Sequence, residues 1–562
     1  MIKARTKPSS SRADGSSQDA ARNFLSWPRL EFVTATLLTL WIVLLHGLFL
    51  FHAGPLWRDE VGTVDFAAMP TLADIWHNLR YDNFPPLFVL LARAWTLAGL
   101  SSDFDFRLLG FIIGLATLAI LWFSARVCGA RTPVLALALY GASPLAIRVG
   151  DSMRPYGLGV ALTMLTLGLV WKFVENPRPR NLSWAMVTAV LAVQSLYHNA
   201  IFIAAFSLAA WSVTLARRQW RTSAQILVID VVAALSLLPH WANLKLGEEW
   251  MGVTKWPAQF PEVWQALLDS LHAAGSGPAW GWALALVMAL AIGGRVLLPI
   301  FRLTRGGGAA PALSWNILYC AAALVAGMVF YLAFLRLFGL LPQPWYLLIL
   351  LAPSAVALDT MLAAAPLSWF KAARTAVALG AVFLGGNSTV GLLQLRQSNV
   401  DYIAATLQHN AQPQDVILVS PWYYAVSLQR YYGVAGLTTL PPLDEFRIHR
   451  YDLLQEQMAA PNPIAPLLQS MEKALRSGHA VWIVGEYRNP SPAGPPPNYP
   501  PYDGQLETPI PKYRAIWLYQ IGQLVKTHTV EGGVWPVRLP PGVAINPWEA
   551  LPLIYFHGWK EP

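Results

Sequence analysis

Charge is scarce in this sequence. Only 13% of its 562 residues are Asp, Glu, Lys or Arg, about half the share found in soluble globular domains. With 55% hydrophobic residues, the chain cannot present a wet surface everywhere. That excludes the three or four soluble domains that length alone suggests at about 150 residues each. Cysteine is nearly missing too. Two residues are too few for a disulfide framework or a Cys-rich metal site. No internal repeat is visible, and no G-x-G-x-x-G opens a helix in the C-terminal region, so no nucleotide site is read there. Basic residues exceed acidic ones, 40 to 31. They are dispersed among apolar runs, which argues against a nucleic-acid partner.

What is present is a series of long apolar runs. Residues 1–30 form a basic, Ser-rich tail without an apolar face, expected to be disordered in the cytosol. The run Val33–Phe51 is long enough to cross a bilayer, follows positive charge and shows no cleavage site, so it reads as an uncleaved anchor. Further runs cover 107–127, 132–149, 155–174, 183–197, 200–216, 224–241, 281–301, 313–335, 343–363 and 373–394. Pro85–Gly99 is apolar as well but carries Arg93 at its middle, where a charge is expensive in lipid. Laid in the interface, it lets the basic loops fall on the cytoplasmic side and the acidic loops outside. The expected fold is therefore a polytopic α-helical membrane protein of about eleven transmembrane helices, with interfacial helices in a first periplasmic loop at 52–106. An odd count places residues 396–562 outside. There Asp415–Ser420, Trp422–Tyr432, Pro466–Ser477 and Ala480–Gly485 alternate strand and helix patterns, as in a small α/β domain. Asn489–Asp503 reads as a Pro-rich extended loop.

Three sites on the outer side hold ionisable residues. Trp57-Arg58-Asp59-Glu60 follows the first span; it also reads as a solvated loop opening a helix with an acidic pair. Arg148–Tyr156 places Arg148, Asp151 and Arg154 in one short loop. Ordinary loop charge would explain it, but two outer Arg run against the positive-inside bias, and an anionic partner such as phosphate would account for them. Tyr197-His198-Asn199 occupies a tight turn, where a lone His is more often a hydrogen-bonded turn residue than a ligand. Together, such clusters near one membrane level point to function. Arg336 at a span end reads either as an interfacial anchor or as a lipid-headgroup contact. Asp359, near an inner helix end, reads as solvated.

At these places the sequence resembles the GT-C membrane glycosyltransferases, and within them glycosyltransferase family 39, the group of protein O-mannosyltransferases and lipid A aminoarabinose transferases. The residues carrying the resemblance are Trp57–Thr63, Asn83-Phe84-Pro85-Pro86-Leu87, Phe106–Gly110, Asp151–Tyr156 and Tyr197-His198, in order over about residues 30–215. Phe84 stands where a basic residue or His often precedes the Pro pair. In Pro344-Trp345-Tyr346, Trp345 stands where many members have Arg.

The resemblance implies a 31–395 catalytic domain in the bacterial inner membrane, with a cytosolic N-terminus and a periplasmic C-terminal domain. It implies transfer of a sugar from a polyprenyl-phosphate carrier to a glycan, lipid or protein acceptor on the periplasmic side. Asp59 matches the first-loop catalytic aspartate and is the expected base, with Glu60 and Asp151 completing the catalytic set. Arg58, Pro85, Pro86, Arg148, Arg154, Tyr156, His198 and Arg336 form the expected substrate-binding set. One carboxylate and one or two Arg suffice for this chemistry, because phosphate is a good leaving group and needs cationic stabilisation more than a proton. A single displacement inverts the anomeric centre. The acidic sites could hold a divalent cation, though no His/Asp spacing demands one. The competing classes are a transporter or flippase of lipid-linked sugars, a polymerase or ligase using a diphosphate-linked glycan, and a non-catalytic membrane scaffold.

Overall fold

Apolar runs of this length satisfy their backbone groups in lipid only by coiling into helices. The computed structural model is accordingly mostly helical. It describes residues 27–82, 84–306, 312–339, 341–365, 368–490 and 494–561. Most of the expected basic tail, residues 1–26, lies outside the described residues. The first helix starts at Trp27, inside the segment read as tail. Pro28 sits in its first turn, where a missing N–H breaks no helical bond.

Among the described residues, nine helices are long and apolar enough to cross a membrane: Trp27–His52, Asp103–Cys128, Tyr156–Glu175, Asn199–Ala216, Trp220–Thr254, Ser276–Gly294, Trp315–Phe338, Pro344–Ala363 and Trp369–Leu393. The count of eleven is not confirmed. The run 132–149 is broken into a short helix Val134–Ala136, a π-turn Leu137–Gly141 and a helix Pro144–Gly150 capped by Ser143. The run 183–197 falls in the 17-residue helix Pro179–Ser195, about 26 Å long at 1.5 Å per residue against a core of about 30 Å. The apolar segment after Pro86 is only the 11-residue helix Leu87–Leu97, too short to span. Its Arg93 donates to the carbonyls of Ala67 (2.9 Å) and Pro70 (3.0 Å), which keeps the charge at the helix surface.

One end of the bundle is closed by buried charge. Arg374 reaches Asp359 at 3.1 Å and Glu31 at 3.0 Å, and the Ala136 N–H donates to Asp359 at 3.2 Å. Asp359 is fully buried, not solvated as expected. The partner that makes burial tolerable lies 15 residues away on the next helix.

The C-terminal region forms a five-stranded sheet in the order β2-β1-β3-β5-β4. The strands are β1 (Val416–Ser420), β2 (Leu437–Thr439), β3 (Val481–Gly485), β4 (Glu531–Val534) and β5 (Leu553–His557). β1 pairs in parallel with β2 and β3, whereas β5 runs antiparallel to β3 and β4. Apolar β1 and β3 are central and buried, as parallel strands covered on both faces must be. Helix Ala425–Tyr432 seats this region on the bundle. Arg430 pairs with Asp103 at 2.8 Å, and the Tyr431 hydroxyl donates to the same carboxylate at 2.7 Å.

Candidate active site at the bundle–sheet junction

Asp59 and Glu60 open the helix Arg58–Ala67, where negative charge suits the helix dipole. Consecutive helical residues point about 100° apart, and the two carboxylates part company accordingly. Glu60 is 0% exposed. It pairs with both terminal nitrogens of Arg107 and accepts the N–H groups of Trp57 (3.1 Å) and Met153 (2.9 Å). Asp59, 30% exposed, faces a cavity of about 220 Å³.

The bond from Met153 explains how the 151–155 turn is held. Gly110 lets the turn press against helix Asp103–Cys128: a Cβ there would stand 1.9 Å from the Asp151 carbonyl oxygen. Asp151 itself, 2% exposed, bonds to His46 Nδ1 at 2.6 Å. The Phe106–Gly110 stretch thus supplies Arg107 to Glu60 and a gap to Asp151. So anchored, the turn projects Arg154 to the Asp59 carbonyl (3.1 Å) and the Thr63 hydroxyl (3.0 Å), with Asp82 at 3.8 Å. The Arg154 guanidinium also covers the Phe84 ring, 4.5 Å from its centroid.

Of the residues expected from sequence, Asp59, Arg154, Tyr156 and His198 line the cavity. Glu60 and Asp151 do not; both are buried behind it. Arg58 bridges Asp59 (3.4 Å) and Glu549 (3.2 Å) from outside the cavity lining and lies over Tyr423, 4.5 Å from the ring centroid. Arg148 donates to Gln397 at 3.0 Å, separated from Arg154 by the intervening turn. Pro85 and Pro86 serve as the approach to helix Leu87–Leu97. Arg336 is not part of the cavity wall, although its neighbours Leu335 and Phe338 are. Trp345 and Tyr346 do line it. Among the described residues, no three His, Cys, Asp or Glu side chains converge as a metal-binding set.

Sequence reasoning missed Asp82 and two C-terminal residues, His449 and Tyr451, on the same wall. His449 Nε2 lies 3.6 Å from Asp59 Oδ1. The segment Arg447–Asp452 is visibly rich in charge, but nothing in its spacing ties it to a loop nearly 400 residues earlier.

The electrostatics follow from this wall. Burial raises the Asp59 pKa, but Arg58, Arg154 and His449 outweigh it, and the carboxyl is held below its usual value. Burial pushes His449 down to about 4; Asp59 opposes this while Arg58 and Arg154 add to it. Burial likewise pushes His198, in the 196–198 turn, down to about 4. The cavity therefore presents an ionised carboxylate, a guanidinium and neutral imidazoles.

Residues 83–242 match the family model described as dolichyl-phosphate-mannose-protein mannosyltransferase. The architecture is similar to that of ArnT from Cupriavidus metallidurans, solved with undecaprenyl phosphate. That match has TM-score 0.50 and 14% identity, covering 92% of this chain and 97% of the other. A second match is the archaeal oligosaccharyltransferase AglB from Archaeoglobus fulgidus, solved with an inhibitory peptide and a dolichol-phosphate. Its TM-score is 0.50 at 12% identity, covering 91% of this chain and 80% of the other. The chain has the GT-C fold. The resemblance to the GT-C membrane glycosyltransferases is borne out, by the family model over residues 83–242 and by the fold over most of the chain. A search of curated protein sequences finds no match. Within the GT-C fold, the wall described above lies at the junction between the helical bundle and the C-terminal sheet.

Proposed function

We propose that this protein is an integral-membrane glycosyltransferase that moves a sugar from a polyprenyl-phosphate carrier to an acceptor hydroxyl on the periplasmic side. One observation carries the reading: Asp59 and Arg154, from two separate segments, meet on one cavity wall that Arg58, Arg148 and Arg336 do not line. The apolar part of the same lining supports it. Tyr331, Phe334, Leu335 and Phe338 come from one face of the helix Ala312–Phe338, and Phe338 is exposed at its rim. An apolar face beside a polar one suits a lipid chain carrying a sugar phosphate.

In the reaction, the acceptor hydroxyl donates its proton to Asp59 as its oxygen attacks the anomeric carbon. The bond from that carbon to the phosphate oxygen breaks, and the phosphate leaves with the electron pair. Arg154 offers its guanidinium to the charge that develops there. Backside attack inverts the centre. Glu60, Arg107 and Asp151 act by holding the turn that aims Arg154.

The test is transfer by the purified protein in detergent. The donor is a labelled undecaprenyl-phosphate monosaccharide and the acceptor a washed cell-envelope fraction. Label should leave the lipid and appear in product of inverted configuration by NMR. Label that stays on the lipid, or a retained anomer, overturns the reading.

A further inference from the structure

We propose that His449, from the C-terminal region, is the second contact to the acceptor hydroxyl, so that bundle and C-terminal region each supply half of the acceptor site. The inference rests on the transferase reading and goes beyond it by assigning the acceptor contact.

The geometry is that of a gap. Nε2 of His449 and Oδ1 of Asp59 are 3.6 Å apart, too far for a hydrogen bond to each other. An oxygen about 2.8 Å from both fits beside that line. Both atoms belong to side chains on the cavity wall. The other ring edge of His449 is turned to the helix: a Cβ on Gly62 would lie 3.5 Å from Nδ1. Trp422 meets the ring edge-on at 5.9 Å and Tyr451 stacks at 6.2 Å. Aromatic packing therefore fixes the ring and leaves Nε2 toward the gap.

The protonation states suit the task. With its pKa near 4, His449 is neutral at physiological pH and can carry its single proton on Nε2. Asp59, ionised, only accepts. A hydroxyl placed between them accepts from Nε2–H and donates to Oδ1, so its lone pair is oriented as its proton is drawn off. The bonds made and broken are those of the transfer itself, and His449 keeps its proton. An open cleft of about 600 Å³ between helices Trp241–Met251 and Tyr451–Ala459 shares Tyr81 and Trp250 with the cavity.

The test compares wild type, His449→Phe and His449→Gln in the transfer assay. His449→Phe should raise the half-saturating amount of envelope acceptor about threefold to tenfold, the scale of one lost hydrogen bond, with the donor KM unchanged. His449→Gln, which restores an N–H donor, should recover most of that loss. An unchanged acceptor requirement, an equal rise in both constants, or failure of glutamine to recover overturns the proposal while wild-type transfer stands. Absence of transfer by wild type removes the reading on which it rests.

Discussion

Two clusters of charge at opposite ends of the bundle solve the same problem differently. Arg374 is 1% exposed and grips Asp359 and Glu31 at 3.1 and 3.0 Å. At the other end, Asp59 meets Arg58 at 3.4 Å and His449 at 3.6 Å, and Arg154 meets Asp82 at 3.8 Å. The first cluster is shut and joins three segments of the bundle. The second is loose, and the looseness lies where the cavity is. Buried ion pairs in general say little about stability; what separates these two is how closely the charges pair, 3.0–3.1 Å at one end and 3.4–3.8 Å at the other.

The sharpest way to break the comparison is to remove one carboxylate from the loose cluster. Asp59→Asn should lower the transfer rate about 10²- to 10⁴-fold, the usual worth of a positioned base, with folding and membrane insertion retained. Retained turnover would sink the assignment of Asp59.

The mirror experiment is Arg374→Ala. It leaves Asp359 buried without its cation, a loss of about 3–5 kcal/mol of stability. Turnover per folded molecule should stay at the wild-type value. If Arg374→Ala instead spares the midpoint and lowers turnover, the shut cluster is not merely structural.

The same contrast shows what could be read in advance. The helical class and the strands at Val416–Ser420 and Val481–Gly485 were legible, because hydropathy runs and local patterns are properties of contiguous residues. Asp59 and Arg154 stand out in the sequence as charges lacking a topological reason, and the fold brings both to one cavity wall. Their neighbours behaved otherwise. Glu60 sits next to Asp59 in sequence, yet the helix turn sends it to Arg107, 47 positions on. Asp359 reads as a solvated helix end because Arg374 and Glu31 are brought to it only by packing. His449 meets Asp59 only through packing of segments nearly 400 residues apart. Each of these partners is distant in sequence, and the count of eleven spans is not confirmed at the runs 132–149 and 183–197, which form shorter helices.

A gentler change sharpens the role given to Arg154. Arg154→Lys keeps the charge but loses the planar guanidinium, whose Nη1 donates to the Asp59 carbonyl and the Thr63 hydroxyl while Nη2 faces Asp82. The donor KM should rise about tenfold, the scale of one charge-assisted hydrogen bond, with the acceptor requirement and thermal midpoint near wild type. A donor KM equal to that of wild type would assign the phosphate contact to another group.

The smallest expected effect comes from Glu549, which ties Arg58 to the C-terminal region. Burial pushes its pKa up to about 7; Arg58 opposes this, while Asp59 and Glu60 add to it. The usual value is 4.5. Between those pH values the folded chain keeps a proton that the unfolded chain has released. Folded stability from this group is therefore greatest below about 4.5 and falls as pH rises to about 7, because stability declines with pH wherever the folded state binds more protons. Asp59 works in the opposite sense, and its depressed pKa puts its loss on the far acid side. Thermal midpoints measured from pH 5 to 8 should thus fall more steeply for wild type than for Glu549→Gln, which carries no titrating proton. Parallel slopes would mean that Glu549 ionises normally and that Arg58 already neutralises it, making the Arg58–Glu549 contact a closed pair like that of Arg374 rather than part of the loose cluster.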